Sequence, residues 1–476
     1  MNGKRRQRML AACATALAAT GGVLVAGPAA QAQPEPRAAA SRAGDFDGDG
    51  FGDLAVGAPE GTIAGFAKAG YVSVVYGTAQ GVRTSRHKGI TQRTAGIPGT
   101  PEAGDRFGSA TAVGDVDGDG YADLVIGAGG EAIGSVKGAG SVTVVFGAKG
   151  GLSAHAIAFH APTPTARQAF GDRLAVGDFD HDGRADIAVV AGTKVQVVKG
   201  AANLRDTPTP AMKALNPPGG GAGTGQIAAA DVNGDGYKDL ATVAYSDDGA
   251  DEGTLGVLAG SAKGLTGTTL GETGLPFAGY SIVAGDVTGD GKDDIVVDTG
   301  FSDGPDDFLL RMFPGTASGM GKGVAYEGQA QPGRAGVLAD LDGDGHADLV
   351  TADTTATDPD GFNNAGAVTV VPGADSGLDA QGAHTITLAT PGVTGSSEGN
   401  DLFGSAVAAG DYDADGTADL TVGAPGKYLG TGAVSVIPGS ADGPTGKGSI
   451  LFTPEDLDHP ATKARFGSAL GATTRR

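Results

Sequence analysis

The chain has 476 residues and a formal net charge of −22, with one cysteine and no tryptophan. So strong a negative charge argues against nucleic acid and anionic membranes as partners. The single cysteine, Cys13, excludes a disulfide-stabilised scaffold, so a large core or bound metal must stabilise the fold.

The first 32 residues have the features of an export signal. Basic residues lie near the start, an Ala/Leu/Val-rich stretch follows over 9–27, and Ala30-Gln31-Ala32 is a small-residue cleavage site. We therefore predict a signal peptide over 1–32, a short flexible leader over 33–43, and a secreted, extracellular mature chain without a membrane span. A membrane anchor is the alternative, which is disfavoured because glycines interrupt the stretch. Sec and twin-arginine export both remain open.

A nine-residue pattern recurs seven times, with Asp at positions 1, 3, 5 and 9 and Gly at position 6. The copies, called loops 1 to 7 below, start at Asp45, Asp115, Asp178, Asp231, Asp286, Asp340 and Asp411. Successive loops start 53 to 71 residues apart, and a repeat of this length indicates a propeller or an array of supersecondary units. Two loops depart from the pattern at position 3, which holds Asn233 in loop 4 and Thr288 in loop 5.

The pattern predicts a calcium site in each loop. Carboxylates at positions 1, 3, 5 and 9 can turn inward around one ion, position 7 can add its main-chain carbonyl, and oxygen ligands suit Ca²⁺. The predicted metal ligands are Asp45, Asp47, Asp49, Phe51 and Asp53; Asp115, Asp117, Asp119, Tyr121 and Asp123; Asp178, Asp180, Asp182, Arg184 and Asp186; Asp231, Asn233, Asp235, Tyr237 and Asp239; Asp286, Thr288, Asp290, Lys292 and Asp294; Asp340, Asp342, Asp344, His346 and Asp348; Asp411, Asp413, Asp415, Thr417 and Asp419. We expect up to seven ions, with the weakest sites in loops 4 and 5.

Two other interpretations of the loops compete with calcium binding. An Asp/Gly turn that binds nothing is the first, but such a turn needs one or two acidic residues rather than four. EF-hands are the second, and they are excluded because position 12 holds Val, Ile or Thr in every loop, where an EF-hand carries its bidentate Glu.

Short apolar strands surround each loop. After position 9 the apolar residues alternate, as in Leu54 and Val56, which predicts a half-buried strand. A second apolar run such as 71–77, a loosely patterned segment, and a strand before each loop complete a four-stranded unit. Loop 1 lacks a preceding strand, whereas 466–470 forms such a strand with no loop after it. We therefore predict an all-β, closed seven-bladed β-propeller over 44–472, in which the C-terminal strand completes the first blade.

Two stretches, Phe107 to Gly127 and Phe403 to Pro425, follow the pattern FG…GD-x-D-G-D-G-x-x-D-L-x-V-G-A-P with small variations. This pattern resembles the FG-GAP repeat, the calcium-binding blade of the integrin α-subunit β-propeller, which has relatives among secreted bacterial proteins of the VCBS type. The resemblance extends over essentially the whole mature chain and weakens outside the loops in copies 4 to 6. It implies seven blades with a calcium loop between the first two strands of each.

The resemblance also implies that ligand contacts lie on the face opposite the calcium loops. The connections expected there include 59–70, 353–366 and 425–432, and they carry the candidate contact aromatics Phe66, Phe362 and Tyr428. The alternative is that these segments are tolerated surface insertions without a binding role.

No catalytic residue and no cofactor besides calcium is predicted. Gly395–Gly399 and Gly300–Gly304 match the G-x-S-x-G pattern, but 87 glycines make chance matches expected, and the motif requires a strand–turn–helix context. The histidines form no zinc-hydrolase motif. The absence of tryptophan disfavours, without excluding, a lectin that stacks sugars on aromatic rings.

These observations predict a monomeric extracellular module that binds or adheres to a protein or polysaccharide. An exported hydrolase or lyase, acting on phospholipid or polysaccharide, is the alternative. An inert structural or envelope protein is a third hypothesis. The sequence favours the binding module, because seven blades account for the mature chain and leave no separate catalytic domain.

Overall fold

A computed structural model describes residues 44–219, 223–245, 253–275, 281–298, 310–326, 328 and 334–471. The predicted signal peptide (1–32), the predicted leader (33–43) and residue 472 lie outside the described residues. The described chain consists almost entirely of short β-strands.

In chain order the first strands are β1 (Leu54–Ala58), β2 (Tyr71–Val75), β3 (His87–Ile90), β4 (Phe107–Gly114), β5 (Asp123–Ala128), β6 (Ser141–Val145), β7 (Ala156–Phe159), β8 (Leu174–Gly177), β9 (Asp186–Ala191), β10 (Lys194–Val198), β11 (Met212–Leu215), β12 (Gly223–Ala230), β13 (Asp239–Tyr245), β14 (Gly253–Leu258) and β15 (Thr269–Leu275). The remaining strands are β16 (Ser281–Gly285), β17 (Asp294–Asp298), β18 (Leu310–Phe313), β19 (Gly315–Thr316), β20 (Gly319–Met320), β21 (Val324–Ala325), β22 (Arg334–Ala339), β23 (Asp348–Asp353), β24 (Ala367–Val371), β25 (His384–Ile386), β26 (Val407–Gly410), β27 (Asp419–Ala424), β28 (Ala433–Ile437), β29 (Ile450–Phe452) and β30 (Ala469–Gly471). Three single-turn helical segments interrupt the loops at Leu204–Asp206, Lys427–Gly430 and Pro454–Leu457.

Within the described residues, the strands form seven four-stranded antiparallel sheets, which confirms the predicted seven-bladed propeller. The blades are β30-β1-β2-β3, β4-β5-β6-β7, β8-β9-β10-β11, β12-β13-β14-β15, β16-β17-β18-β21, β22-β23-β24-β25 and β26-β27-β28-β29. The two-stranded hairpin β19-β20 lies between β18 and β21 in the sequence, within the fifth blade's segment of the chain. In each blade we call the strands inner, second, third and outer, in the order given.

The C-terminal strand closes the ring. β30 pairs antiparallel with β1, with Val56 opposite Leu470 and Gly57 opposite Ala469. The prediction that the end of the chain completes the first blade is therefore confirmed. Closure satisfies the hydrogen-bonding edge that an open array of blades would leave unpaired.

The second strands are buried on both faces, so the prediction of half-buried strands was wrong. All five residues of β1 and all six of β5 are buried. The cause is that the blades stack face to face, so that both faces of each second strand meet a neighbouring blade. In these strands large apolar residues therefore alternate with small residues rather than with polar ones. Phe107 and Phe170, at or near the start of inner strands, are also fully buried.

The glycines of the repeat motif allow this stacking. Gly108, after Phe107, has a φ of +86°, in the left-handed region that favours glycine. A Cβ on Gly57 of β1 would lie 2.3 Å from the carbonyl oxygen of Gly108. At this point the second strand of one blade touches the inner strand of the next blade through backbone atoms, and this contact explains why both halves of the motif contain glycine.

Candidate metal centre

Each loop is folded by hydrogen bonds to its own Asp side chains. In loop 1, Asp45 accepts the main-chain N–H groups of Gly48 (2.6 Å) and Gly50 (2.8 Å). Asp47 accepts the N–H of Asp49 at 3.0 Å, and Asp49 accepts that of Phe51 at 3.1 Å. Asp side chains that bond to main chain two or more residues ahead stabilise tight turns, so the predicted ligands at positions 1, 3 and 5 also shape the loop.

Position 6 is glycine in all seven loops because the turn requires it. Its φ lies between +84° and +102° in every copy, a conformation that costs energy for other residues. Position 4 is also left-handed, and there His181 and Ala414 replace glycine at φ 54° and 61°.

The Asp at position 9 has a structural role that the sequence did not reveal. In loop 1, one carboxylate oxygen of Asp53 accepts the N–H of Phe46 (2.8 Å) and the other accepts that of Gly77 (2.9 Å), which follows β2. The same pair of bonds forms in all seven blades, with glycines at 77, 147, 200, 260, 315, 373 and 439. The glycine two residues after each third strand was the available signal for this contact.

These position-9 carboxyls are buried, and other carboxylates of the same loop lie close to them. Burial is the main cause that raises the pKa of Asp53 and of Asp123 to about 8, although two N–H bonds oppose it in each case. Nearby Asp45 and Asp47 raise the pKa of Asp53 further. Burying an ionised carboxylate is costly unless a cation accompanies it. A calcium ion in the loop would supply that charge, so the donor set fits the ion that the pattern predicts.

In five loops, three acidic side chains converge closely enough to hold one ion. Their ligand atoms lie within 4.8 Å of one another in the sets Asp45/Asp47/Asp53, Asp115/Asp117/Asp123, Asp178/Asp180/Asp182, Asp340/Asp342/Asp344 and Asp411/Asp413/Asp415. Among the described residues, loops 4 and 5 do not form such a set. Asn233 and Thr288 replace a carboxylate there, and the weakness of these two sites stays a prediction.

The residues at position 7 were predicted to ligate through their main-chain carbonyls. In all seven loops their N–H donates to the position-5 carboxylate, at 2.8 to 3.1 Å. This bond fixes the peptide that carries the carbonyl, but the ligand role of the carbonyl stays a prediction.

Basic side chains contact the carboxylates of loops 1 to 3, and nothing in the sequence pattern predicts these contacts. Arg86 donates to Asp47 at 2.5 Å and to Asp49 at 2.9 Å. Arg205 reaches from the third blade to positions 3 and 5 of loop 2, and Lys199 makes the equivalent pairs in loop 3. A cation held at these two positions competes with a metal ion for the same oxygens.

Asp293, at position 8 of loop 5, connects that loop to loop 4. Its carboxylate pairs with Lys238 at 2.9 Å and accepts the N–H of Asp231 at 2.6 Å. The side chain therefore links two neighbouring loops.

The opposite face carries exposed apolar side chains. The second-to-third-strand connections begin at the far end of the second strands, away from the calcium loops, and they carry Phe66 (45% exposed), Phe362 (42%), Tyr428 (44%) and Leu429 (96%). Tyr428 and Leu429 both have positive φ, 51° and 59°, a costly conformation for these residues. Their turn is anchored by Lys427, which is fully buried and pairs with Asp401 at 3.1 Å.

The first G-x-S-x-G match, Gly395–Gly399, lies in the connection between β25 and β26. Ser397 is buried there, and the flanking elements are strands, so the strand–turn–helix context of an esterase is not formed at this position. The second match, Gly300–Gly304, lies outside the described residues. No helix in the described part of the chain is long and apolar enough to cross a membrane.

Comparison with known families finds repeats that include five of the seven loops. The FG-GAP repeat matches residues 38–75, 107–145 and 403–437, and an FG-GAP-like repeat matches 178–242.

Similar proteins include integrin α subunits. Integrin alpha pat-2 of Caenorhabditis briggsae is 44% identical over 87 residues, which are 18% of this chain and 6% of that protein. Integrin alpha-5 of Xenopus laevis is 41% identical over 88 residues, 18% of this chain and 8% of that protein. The matches thus span less than a tenth of those relatives. Among solved structures, an Agrocybe aegerita lectin that recognises non-reducing terminal N-acetylglucosamine has a TM-score of 0.50 and 16% identity, covering 89% of this chain and 95% of its own. At that identity the likeness concerns the fold alone.

Proposed function

Because this chain is an integrin-like FG-GAP repeat protein, we propose that it is a secreted, calcium-stabilised propeller that binds a protein or polysaccharide outside the cell. An FG-GAP β-propeller of this kind is in general a binding or adhesion module. Secretion, calcium binding and the class of ligand are the parts of this proposal that go beyond membership of the repeat family. The integrin α subunits that it resembles, and the predicted signal peptide, support an extracellular location.

The observation that carries the proposal is the difference between the two faces of the ring. One face holds the loops in which acidic side chains converge. The other presents exposed apolar side chains on loops, among them a Tyr428–Leu429 turn in a strained conformation over a buried ion pair. Strained and exposed apolar residues that the surrounding structure holds in place are typical of recognition sites. Calcium then stabilises the scaffold and the loop face contacts the partner.

An array of glycans and secreted proteins, probed with the mature chain in millimolar calcium, tests this function. We expect selective binding that the double substitution Tyr428→Ser and Leu429→Ser abolishes. Val324→Ser is the matched control, because Val324 is a comparably exposed apolar residue (56%) on the outer strand β21, and this change should preserve binding. Catalytic turnover on polysaccharide or phospholipid panels would favour the hydrolase or lyase alternative instead, and the absence of any ligand would contradict the proposal.

A further inference from the structure

The metal loops are joined into a continuous ring by main-chain hydrogen bonds. In every loop the N–H of position 8 donates to the carbonyl oxygen of position 1 in the preceding loop. The pairs are Ala122 to Asp45 (2.9 Å), Ala185 to Asp115 (2.8 Å), Lys238 to Asp178 (3.1 Å), Asp293 to Asp231 (2.8 Å), Ala347 to Asp286 (2.8 Å), Ala418 to Asp340 (2.9 Å) and Gly52 to Asp411 (3.0 Å). The last pair joins loop 1 to loop 7, so the chain of bonds has no end.

Side chains reinforce the same junctions. The ring of Tyr121, at position 7 of loop 2, covers Gly48 at position 4 of loop 1 so closely that a Cβ there would lie 2.5 Å from the ring. Arg184 covers Gly118 and His346 covers Gly289 in the same way. Each loop therefore touches its predecessor through its backbone and, at these junctions, through its position-7 side chain as well.

These junctions contain the predicted ligands themselves. Asp45 offers its carboxylate to the site in loop 1, while its carbonyl oxygen holds the N–H of Ala122. Ala122 directly precedes Asp123, whose buried carboxylate belongs to loop 2. An ion that orders loop 1 therefore fixes the peptide that positions a ligand of loop 2. A neighbour that is already ordered lowers the entropic cost of binding at the next site.

We propose that the calcium sites are coupled to their neighbours around the ring, so that an ion in one loop raises the affinity of the adjacent loops. This inference rests on the calcium binding proposed above and adds its mechanism of assembly. The ring then fills with positive cooperativity, with a Hill coefficient above one. Loops 4 and 5, which lack a position-3 carboxylate, gain most from occupied neighbours.

Terbium luminescence can report on loops 1 and 2. Terbium replaces calcium at oxygen sites, the chain has no tryptophan, and Tyr121 lies in loop 2 with its ring against Gly48 of loop 1. The emission that Tyr121→Phe removes is therefore the signal of these two loops, and the phenylalanine ring still covers Gly48. The test compares the terbium midpoint of this signal in the full mature chain with that in two position-3 variants, Asp180→Asn in loop 3, which adjoins loop 2, and Asp342→Asn in loop 6, which adjoins neither loop.

We expect Asp180→Asn to raise this midpoint by up to about fivefold, at the lower end of usual coupling strengths, and Asp342→Asn to change it much less. Lys199→Gln controls for the ion pair that Asp180→Asn also removes, and it should not weaken loops 1 and 2. Circular dichroism confirms that each variant is folded. An unchanged midpoint in Asp180→Asn, or equal effects of the near and distant variants, would overturn the coupling while leaving calcium binding intact. The absence of any Tyr121-dependent emission would overturn both.

Discussion

A close backbone contact between two blades predicts a large effect of adding one methyl group. Gly127, in β5 of the second blade, faces Gly171, near the start of the third blade, so that a Cβ on Gly127 would lie 2.0 Å from the carbonyl oxygen and 2.7 Å from the carbonyl carbon of Gly171. Ordinary packing requires about 3.5 Å, so the two blades must separate by more than about 1 Å if Gly127→Ala is to fold. Both partners are backbone atoms, and no side-chain rotation can relieve the overlap.

Overpacking of this kind costs about 3 kcal/mol at the upper end of its usual range. For a domain of this size we expect the thermal midpoint in saturating calcium to fall by roughly 3–6 °C. Gly267→Ala is the matched control, because Gly267 has an ordinary φ and a methyl group added there would have no other atom within 4 Å; it should be neutral or slightly stabilising. Equal melting temperatures for the two variants would refute the backbone contact between blades.

Three further predictions concern the loops. In EDTA the thermal midpoint should fall as the pH rises from about 4 to 8. Position-9 carboxyls such as Asp53 and Asp123 have pKa values of about 8 in the folded state, so the folded state keeps protons that the unfolded state has released. In calcium this fall should vanish, and a midpoint that rises with pH in EDTA would contradict the reasoning. Arg205→Gln should raise the calcium affinity of loop 2 several-fold in titrations, because it removes a positive charge that competes with calcium for the carboxylates. The same change should lower the stability of the metal-free protein. Weaker calcium binding would show that the guanidinium supports the site instead. Thr288→Asp should strengthen loop 5 and add one bound ion at limiting calcium by native mass spectrometry, whereas Thr288→Ser should not.

The repeat made most of the fold predictable. Seven similar loops and an unmatched strand at 466–470 were enough to predict the number of blades and the way in which the ring closes. The prediction failed where a strand pattern has two physical explanations. Alternation of Leu54 and Val56 with Ala55 and Gly57 is compatible with a half-exposed strand, but here the small residues face another blade.

The sites were predictable only in their local part. Positions 1, 3 and 5 lie within one loop, and the sequence displays them together. One main-chain partner of position 9 lies in the same loop, but the glycine partner follows it by 14 to 25 residues, so no fixed spacing revealed that second contact. Arg205 is 86 residues from Asp119, in the next blade. Such contacts depend on how blades pack, which a repeat pattern alone does not specify.

The number of calcium ions bound by the purified mature chain tests the central claim most directly. Equilibrium dialysis with atomic emission detection, at about 1 mM free calcium as suits extracellular sites, should give at least five ions per chain, one for each loop in which three carboxylates converge. The substitution Asp117→Asn should lower that number by about one under limiting calcium. A chain that binds fewer than one ion, and whose melting is unchanged by EDTA, would contradict the account.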